Sequence, residues 1–158
     1  MGIRRQSREA AVQALFMCDF MNTWDEDSLV SCFEHFGVEA DVREYAELVA
    51  LGVLERRDEI DARITSASEH WSISRMGRVD RTILRVASFE LLFARDIPTN
   101  VSINEAIEVA KRFGSDDSPT FVNGVLDRIA AVSRNKVRPL PKKALPEEEE
   151  VLEKVASA

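Results

Sequence analysis

The chain is poor in the residues that interrupt or cross-link a fold. Its 158 residues include only 6 glycines, 5 prolines and 2 cysteines, Cys18 and Cys32. So little glycine and proline excludes collagen-like and low-complexity classes, and two distant cysteines exclude a disulfide framework or a zinc finger. No apolar run approaches the ~18 residues of a membrane span, and none follows the basic start as in a signal peptide. We therefore expect a soluble cytoplasmic protein with its own hydrophobic core.

Residues that carry common catalytic chemistry are also scarce. The chain has two histidines, His35 and His70, and it contains no glycine-rich phosphate loop, GxSxG or HExxH motif. Isolated histidines on helical segments are most often surface or half-buried residues. The sequence favours a binding protein over an enzyme and predicts no metal and no cofactor.

Apolar periodicity predicts an all-helical domain over residues 1–135. Glycine and proline fall between long stretches of helical period, and no stretch alternates as a strand would. The predicted helices span about 4–21, 26–36, 40–69, 78–95, 102–113 and 119–134. Three prolines and four consecutive glutamates predict a mobile tail over 136–158.

Two of these helices have chemically marked ends. Ser102 and Glu105 have the spacing of a capping box, and Gly114 follows the last apolar residue as a C-cap does. Ser118 precedes Pro119, which predicts an N-cap followed by proline at the first helical position.

The helix over VDRTILRVASFELLFAR is apolar around most of its circumference, which predicts a central position. Glu90 falls among its apolar residues, so we expect it to be paired. A narrow face carries Arg78, Arg81 and Arg85. This face could bind phosphate, dock another protein or pair with the acidic segment 22–61, and intramolecular pairing is the favoured interpretation.

Charge is segregated along the chain. The net charge is -7, and the segment 22–61 alone carries twelve acidic residues against three basic ones. The start carries Arg4, Arg5 and Arg8 close together. Because the local field decides whether a phosphate backbone is attracted, an acidic protein can still have a basic RNA-binding surface.

Phe16 lies off the apolar stripe of the first predicted helix. It follows Arg5 by eleven residues, which returns it to within about 20° of Arg5 around the helix. A ring beside a guanidinium offers single-stranded RNA both a stacking surface and a charge. The alternative is that Phe16 covers a neighbouring helix and the arginines are solvated. Phe121 poses a similar choice between a hydrophobic staple and a contact to a partner.

Long runs of the sequence resemble the NusB family of bacterial transcription antitermination factors. They are RRQSREAAVQALF, GVLERRDEIDARI and VDRTILRVASFELLFARDIPTNVSINEAIEVAKRFGSDDSPTFVNGVLDRI. The resemblance covers about residues 4–133 and implies a bundle of about six to seven helices in two packed subdomains, without enzymatic activity. It further implies binding to boxA RNA of ribosomal RNA transcripts, as a heterodimer with the small-subunit ribosomal protein NusE. Other Nus factors and RNA polymerase are then indirect partners.

The resemblance also assigns roles to individual residues. The positions that match the RNA-binding part of the family are Arg4, Arg5, Arg8, Phe16, Asp117 and Phe121. The positions that match the surface for the ribosomal protein are Asp80, Arg81 and, less directly, Arg85.

Two other classes of function stay open at this point. One is a protein-only docking module, including an RNA-free homodimer that buries the arginine face. The other is an RNA-modifying enzyme, since a similar domain precedes the catalytic domain of certain rRNA cytosine methyltransferases; this chain carries no Rossmann-like strand pattern and no cysteine nucleophile motif.

Overall fold

A computed structural model describes residues 2–69, 71–94 and 96–135, with the backbone alone for 134 and 135. The predicted tail over 136–158 and His70 lie outside the described residues. Within these ranges the chain forms seven α-helices and one short 3-10 helix over Ile73–Arg75. The α-helices are α1 Ile3–Met21, α2 Glu26–His35, α3 Ala40–Glu55, α4 Arg57–Ala67, α5 Arg78–Phe93, α6 Thr99–Phe113 and α7 Ser118–Asn135. The all-helical prediction is confirmed.

Helix α5 is the centre of the bundle, as its apolar circumference predicts. It packs against α1, α3, α4, α6 and α7, and every residue from Thr82 to Glu90 is buried. α1, α2 and α3 pack on one another, and α6 and α7 pack on each other and on α5. One continuous apolar core runs through both groups. A Cβ at Gly52 on α3 would collide with the ring of Phe89 on α5, so the close approach of these two helices requires glycine there.

The segment 40–69 departs from the prediction of a single helix. Its backbone breaks at Arg56, where φ is -117° and ψ is 20°, and α4 begins at Arg57. Apolar residues keep helical spacing before and after Arg56, so the spacing of apolar residues in the sequence does not reveal the break.

The predicted capping box of α6 is wrong. The helix begins at Thr99, one turn earlier than predicted, with Pro98 at the N-cap position. Ser102 is therefore inside the helix and buried, and its hydroxyl has no hydrogen-bond partner among the described residues. Glu105 accepts hydrogen bonds from Arg5 of α1. Gly114 does occupy the C-cap position, as predicted.

The start of α7 lies within one residue of its prediction, but the role of Ser118 differs. The Ser118 hydroxyl accepts a hydrogen bond from the backbone N–H of Ser115, at 2.9 Å. It therefore secures the turn that precedes α7.

None of the helices in the described ranges combines the length and apolarity that a membrane crossing requires.

Candidate nucleic-acid and protein interface

Arg4 lies in the first turn of α1 and is exposed to solvent. Its guanidinium carbon is 3.9 Å from the centre of the Tyr45 ring on α3. The Ser7 hydroxyl, one turn later, contacts the carbonyl oxygens of Ile3 and Val42, each at 2.8 Å, and fixes this turn against α3. Arg4 forms no ion pair with any described residue, so its charge is held in place without being neutralised.

Arg5 is partly exposed and is paired with a carboxylate. Its guanidinium donates two hydrogen bonds to Glu105 on α6, at 2.8 and 3.0 Å. These hydrogen bonds and the charge of Glu105 raise the pKa of Arg5, and the same contacts lower the pKa of Glu105. Because 39% of the Arg5 side chain stays exposed, a phosphate can reach it in competition with Glu105.

Arg8 is predicted to bind RNA, but the structure places it in the interior. It is only 6% exposed, and its guanidinium donates two hydrogen bonds to Glu90 of α5, at 2.7 and 2.9 Å. Burial acts to lower the pKa of Arg8, but the hydrogen bonds and the charge of Glu90 outweigh it and raise the pKa. A guanidinium held in this way cannot reach a phosphate unless the buried pair breaks. The expectation that Glu90 is paired is confirmed.

Phe16 does not lie beside Arg5, which corrects the angular argument from the sequence. Eleven helical residues rise about 16 Å, so the two side chains share a direction but not a level on α1. Phe16 is half-buried and stacks on Phe20, with ring centres 6.4 Å apart and planes 11° apart. Phe20 is 60% exposed, and the Arg78 guanidinium carbon is 5.3 Å from its ring centre. We call Phe16, Phe20 and Arg78 the aromatic patch.

Two of the three arginines on the narrow face of α5, Arg81 and Arg85, form ion pairs with carboxylates of the same chain. Arg81 donates two hydrogen bonds to Asp19, at 2.6 and 2.9 Å. Arg85 is buried and donates two to Asp61 of the acidic segment, at 2.8 and 3.0 Å. The favoured interpretation of this face, pairing with the acidic segment, is confirmed for Arg85, and its burial leaves little of its surface for a partner. Arg81 keeps a small exposed edge.

Three residues with different predicted roles line one cleft of about 490 Å³, which lies between the connection from α4 to α5, the start of α5 and α7. They are Asp80 from the predicted protein surface and Asp117 and Phe121 from the predicted RNA surface. The complete lining is Ser68, Glu69, Trp71, Arg75, Met76, Gly77, Asp80, Asp117, Thr120, Phe121, Gly124, Val125 and Arg128.

Two lining residues were missed from the sequence. The Trp71 ring is 58% exposed, although tryptophan is usually well buried. Arg75 is exposed and forms no ion pair with any described residue, unlike Arg128, which contacts Glu69 at 2.8 Å. The sequence carries no signal for either residue, because neither the exposure of Trp71 nor the lack of an ion pair at Arg75 can be read from it.

Gly124 forms an open part of the cleft wall in the middle of α7. A Cβ at this position would meet nothing within 4 Å, and the backbone does not have the positive φ that favours glycine. Glycine inside a helix costs roughly 0.5–1 kcal/mol relative to alanine. The fold does not need glycine here, and its effect is to keep the cleft wide beside Phe121.

Comparison with known proteins agrees with this architecture. Residues 5–131 match the family model of the NusB family. A transcription antitermination protein NusB from Geobacter sulfurreducens is 50% identical over 137 residues, covering 86% of this chain and 99% of that protein. Another, from Trichlorobacter lovleyi, is 46% identical over 138 residues, covering 87% of this chain and 97% of that protein.

Solved structures of NusB proteins are also similar to this chain. NusB from T. maritima is 43% identical, with a TM-score of 0.73, over 81% of this chain and 90% of that one. A chain in a crystal structure of antitermination factors NusB and NusE in complex with double-stranded RNA is 25% identical. It has a TM-score of 0.75 and covers 82% of this chain and 97% of that chain. The chain described here belongs to the NusB family.

Proposed function

We propose that this chain is a transcription antitermination factor that binds single-stranded boxA-type RNA of ribosomal RNA transcripts together with the ribosomal protein NusE. It acts in the cytoplasm through recognition alone, without catalysis, and other Nus factors and RNA polymerase are its indirect partners. Family membership supports this proposal, and the solved complex of NusB and NusE with double-stranded RNA supports its RNA and NusE parts.

The observation that carries the RNA-binding part is the surface formed by the start of α1. Arg4 and Arg5 present guanidinium groups to solvent, although the protein as a whole has a net charge of -7. The acidic residues of 22–61 pair with some of the other arginines instead, as Asp61 does with Arg85. In this account Arg4 and Arg5 contact phosphates, whose attraction to cations dominates affinity for nucleic acids.

Contacts to phosphates do not bind the bases of an RNA, and the cleft provides a site where a base can bind. The exposed ring of Trp71 offers a face on which an unpaired base can stack, and the ring of Phe121, half-buried against the core, lines the cleft beside it. The Asp117 carboxylate is exposed there and can accept a hydrogen bond from the amino group of a base. Arg75 is placed to contact the backbone that leads into the cleft.

The aromatic patch fits a protein better than RNA. Phe20 is mostly exposed and stacks on Phe16, and exposed aromatic residues beside an arginine are typical of the cores of protein interfaces. Arg78 of the patch and Asp80 of the cleft lie in the same first turn of α5. We therefore assign the patch, Asp80 and the exposed edge of Arg81 to the docking of the ribosomal protein, and we move Phe16 from the RNA surface to this one.

The same patch favours a second candidate, a protein-only docking module or homodimer. In that case the chain has no direct RNA role, and the arginines at the start of α1 are solvated. Sedimentation velocity distinguishes the two, since a homodimer that persists at saturating NusE and RNA would support the second candidate.

Titration of a fluorescently labelled boxA RNA with the full chain tests the proposal, in the absence and presence of NusE. We expect saturable binding by the chain alone and a lower Kd with NusE. A labelled RNA of equal length and scrambled sequence is the control. Equal Kd values for the two RNAs, with and without NusE, would contradict the proposal.

A further inference from the structure

We propose that Tyr45 is a positioning residue for RNA binding, because its ring holds the Arg4 guanidinium in the orientation in which it meets a phosphate. This inference rests on the proposed function and adds to it a residue that itself need not touch RNA. It also gives the buried pair of Arg8 and Glu90 a role in support of that surface.

The evidence is an unbroken series of contacts from the core to the surface. Glu90 is 1% exposed and accepts two hydrogen bonds from Arg8. The Tyr45 hydroxyl donates a hydrogen bond to the same carboxylate, at 2.9 Å. The ring face then carries Arg4, at 3.9 Å. Each member fixes the next, so the exposed guanidinium is tied to the centre of the bundle.

The hydroxyl of Tyr45 stays a donor at neutral pH. Burial, together with the negative charge of Glu90, raises the pKa of Tyr45 well above its ordinary value. A phenol that donates to a carboxylate also has a more electron-rich ring, which strengthens the attraction between the ring face and a cation. The Glu90 contact therefore fixes the Tyr45 ring and improves it as a surface for Arg4.

Stacking suits a phosphate-binding arginine for a geometric reason. The guanidinium carbon lies over the ring, and the five N–H groups lie at the edge of the planar group, where a phosphate binds. Because the side chain is already ordered, less rotamer freedom is lost when RNA binds. Arg5 has no such advantage, since its N–H groups already donate to Glu105.

A double-mutant cycle on RNA affinity tests the inference, with the full chain and boxA RNA in anisotropy titrations at several salt concentrations. The variants are Arg4→Ala, Tyr45→Leu and the two combined, with Tyr45→Phe as the conservative variant. Arg57→Ala is the matched control, because it removes another guanidinium stacked on a ring, that of Trp24, at 4.5 Å. Circular dichroism and thermal melts verify that each variant is folded.

We expect Tyr45→Leu to raise the Kd about threefold to fivefold, which is the scale of an exposed cation–π contact. Its salt dependence stays that of the wild type, because no charge is lost. Arg4→Ala raises the Kd and also flattens the log–log salt slope by about 0.7. The double variant matches Arg4→Ala alone, and Arg57→Ala leaves both quantities unchanged. Tyr45→Phe keeps the ring but loses the hydrogen bond to Glu90, so it raises the Kd by about twofold, less than Tyr45→Leu does.

Three results would overturn the inference. The first is that Tyr45→Leu weakens binding equally with and without Arg4. The second is that Tyr45→Phe weakens binding as much as Tyr45→Leu, and the third is that Arg4→Ala has no effect. Failure of the proposed function looks different, since the wild-type chain would then not distinguish boxA RNA from the scrambled RNA at all.

Discussion

Arg8 and Glu90 form a buried ion pair that joins α1 to the central helix α5, with both guanidinium-to-carboxylate hydrogen bonds at or below 2.9 Å. Their side chains are 7% and 1% exposed. Arg8 is therefore part of the core, although it lies close in sequence to Arg4 and Arg5, which are at least partly exposed. The pair fixes where α1 sits and so where Arg4 and Arg5 emerge.

Breaking this pair should destabilise the protein strongly. Arg8→Met or Glu90→Leu alone leaves one buried charge without its partner, which costs about 3–5 kcal/mol in the free energy of unfolding. The double variant Arg8→Met/Glu90→Leu removes both charges and should recover most of that loss. Urea unfolding followed by circular dichroism measures all three.

The same double variant separates a structural role of Arg8 from a role in RNA binding. We expect its log–log salt slope for boxA RNA to equal that of the wild type, because no phosphate contact is lost. A slope flatter by about 0.7 would show that Arg8 does neutralise a phosphate.

Glu105 competes with RNA for Arg5, so Glu105→Gln should strengthen RNA binding. We expect the Kd at low salt to fall about twofold to fivefold, the scale of a partly exposed ion pair. Glu34→Gln removes the same charge from an exposed position on α2 and is the control. Equal effects of the two substitutions would mean that only net charge matters.

The same pair predicts a pH dependence of stability. Hydrogen bonds from Arg5 hold the pKa of Glu105 below its ordinary 4.5. A lowered pKa in the folded state means that the pair stabilises the protein above about pH 4.5 and that this contribution is lost as the pH falls through the folded pKa. The difference in unfolding free energy between the wild type and Glu105→Gln should therefore be present at pH 7 and vanish in acid. A difference that grows below pH 4 would contradict the assignment.

Substitutions of Gly124 test both the stability of the fold and the binding of RNA in the cleft. Gly124→Ala is expected to raise the free energy of unfolding by up to about 1 kcal/mol, since nothing obstructs a Cβ there. Gly124→Leu should fill the cleft and raise the Kd for RNA at least about fivefold, because stacking contributes about 1–3 kcal/mol per base.

Ala131→Leu adds similar bulk at an exposed position of the same helix and is the control. Wild-type RNA affinity of Gly124→Leu, with or without NusE, would exclude the cleft from RNA binding.

The aromatic patch should matter for the protein partner and not for RNA bound by the chain alone. Phe20→Ser is expected to raise the Kd for NusE about tenfold, as expected for loss of an interface aromatic, and Asp80→Lys should also weaken docking. Isothermal titration calorimetry with purified NusE measures this, and Phe36→Ser is the control at another exposed ring. If Phe20→Ser fails to bind RNA in the absence of NusE, the aromatic patch is part of the RNA-binding surface.

Apolar periodicity predicted an all-helical fold and the central place of α5, but it merged α3 and α4 into one helix over 40–69. The cost of an unpaired buried charge predicted the pairing of Glu90. It did not predict that Arg8 is that partner, because the pairing joins residues 82 positions apart through the packing of α1 on α5. The placement of Phe16 beside Arg5 was wrong because helical angle was considered without helical rise.

The capping box at Ser102 was wrong for a related reason. Its spacing is also compatible with a helix that starts one turn earlier, and Glu105 accepts hydrogen bonds from Arg5 and not from a backbone N–H at the helix start. The cleft could not be predicted, since Trp71, Arg75 and Gly124 meet only when α7 packs beside α4 and α5.

The central claim is that an acidic protein binds RNA through a few locally exposed cations, and the salt dependence of boxA RNA binding tests it most directly. With Arg4, Arg5 and Arg75 as the phosphate contacts, we predict a log–log slope of about -2 for the chain alone. Removal of two of these charges in Arg4→Ala/Arg5→Ala should reduce it to about -0.7 and weaken binding at every salt concentration. A double variant with wild-type affinity and wild-type slope would contradict the account.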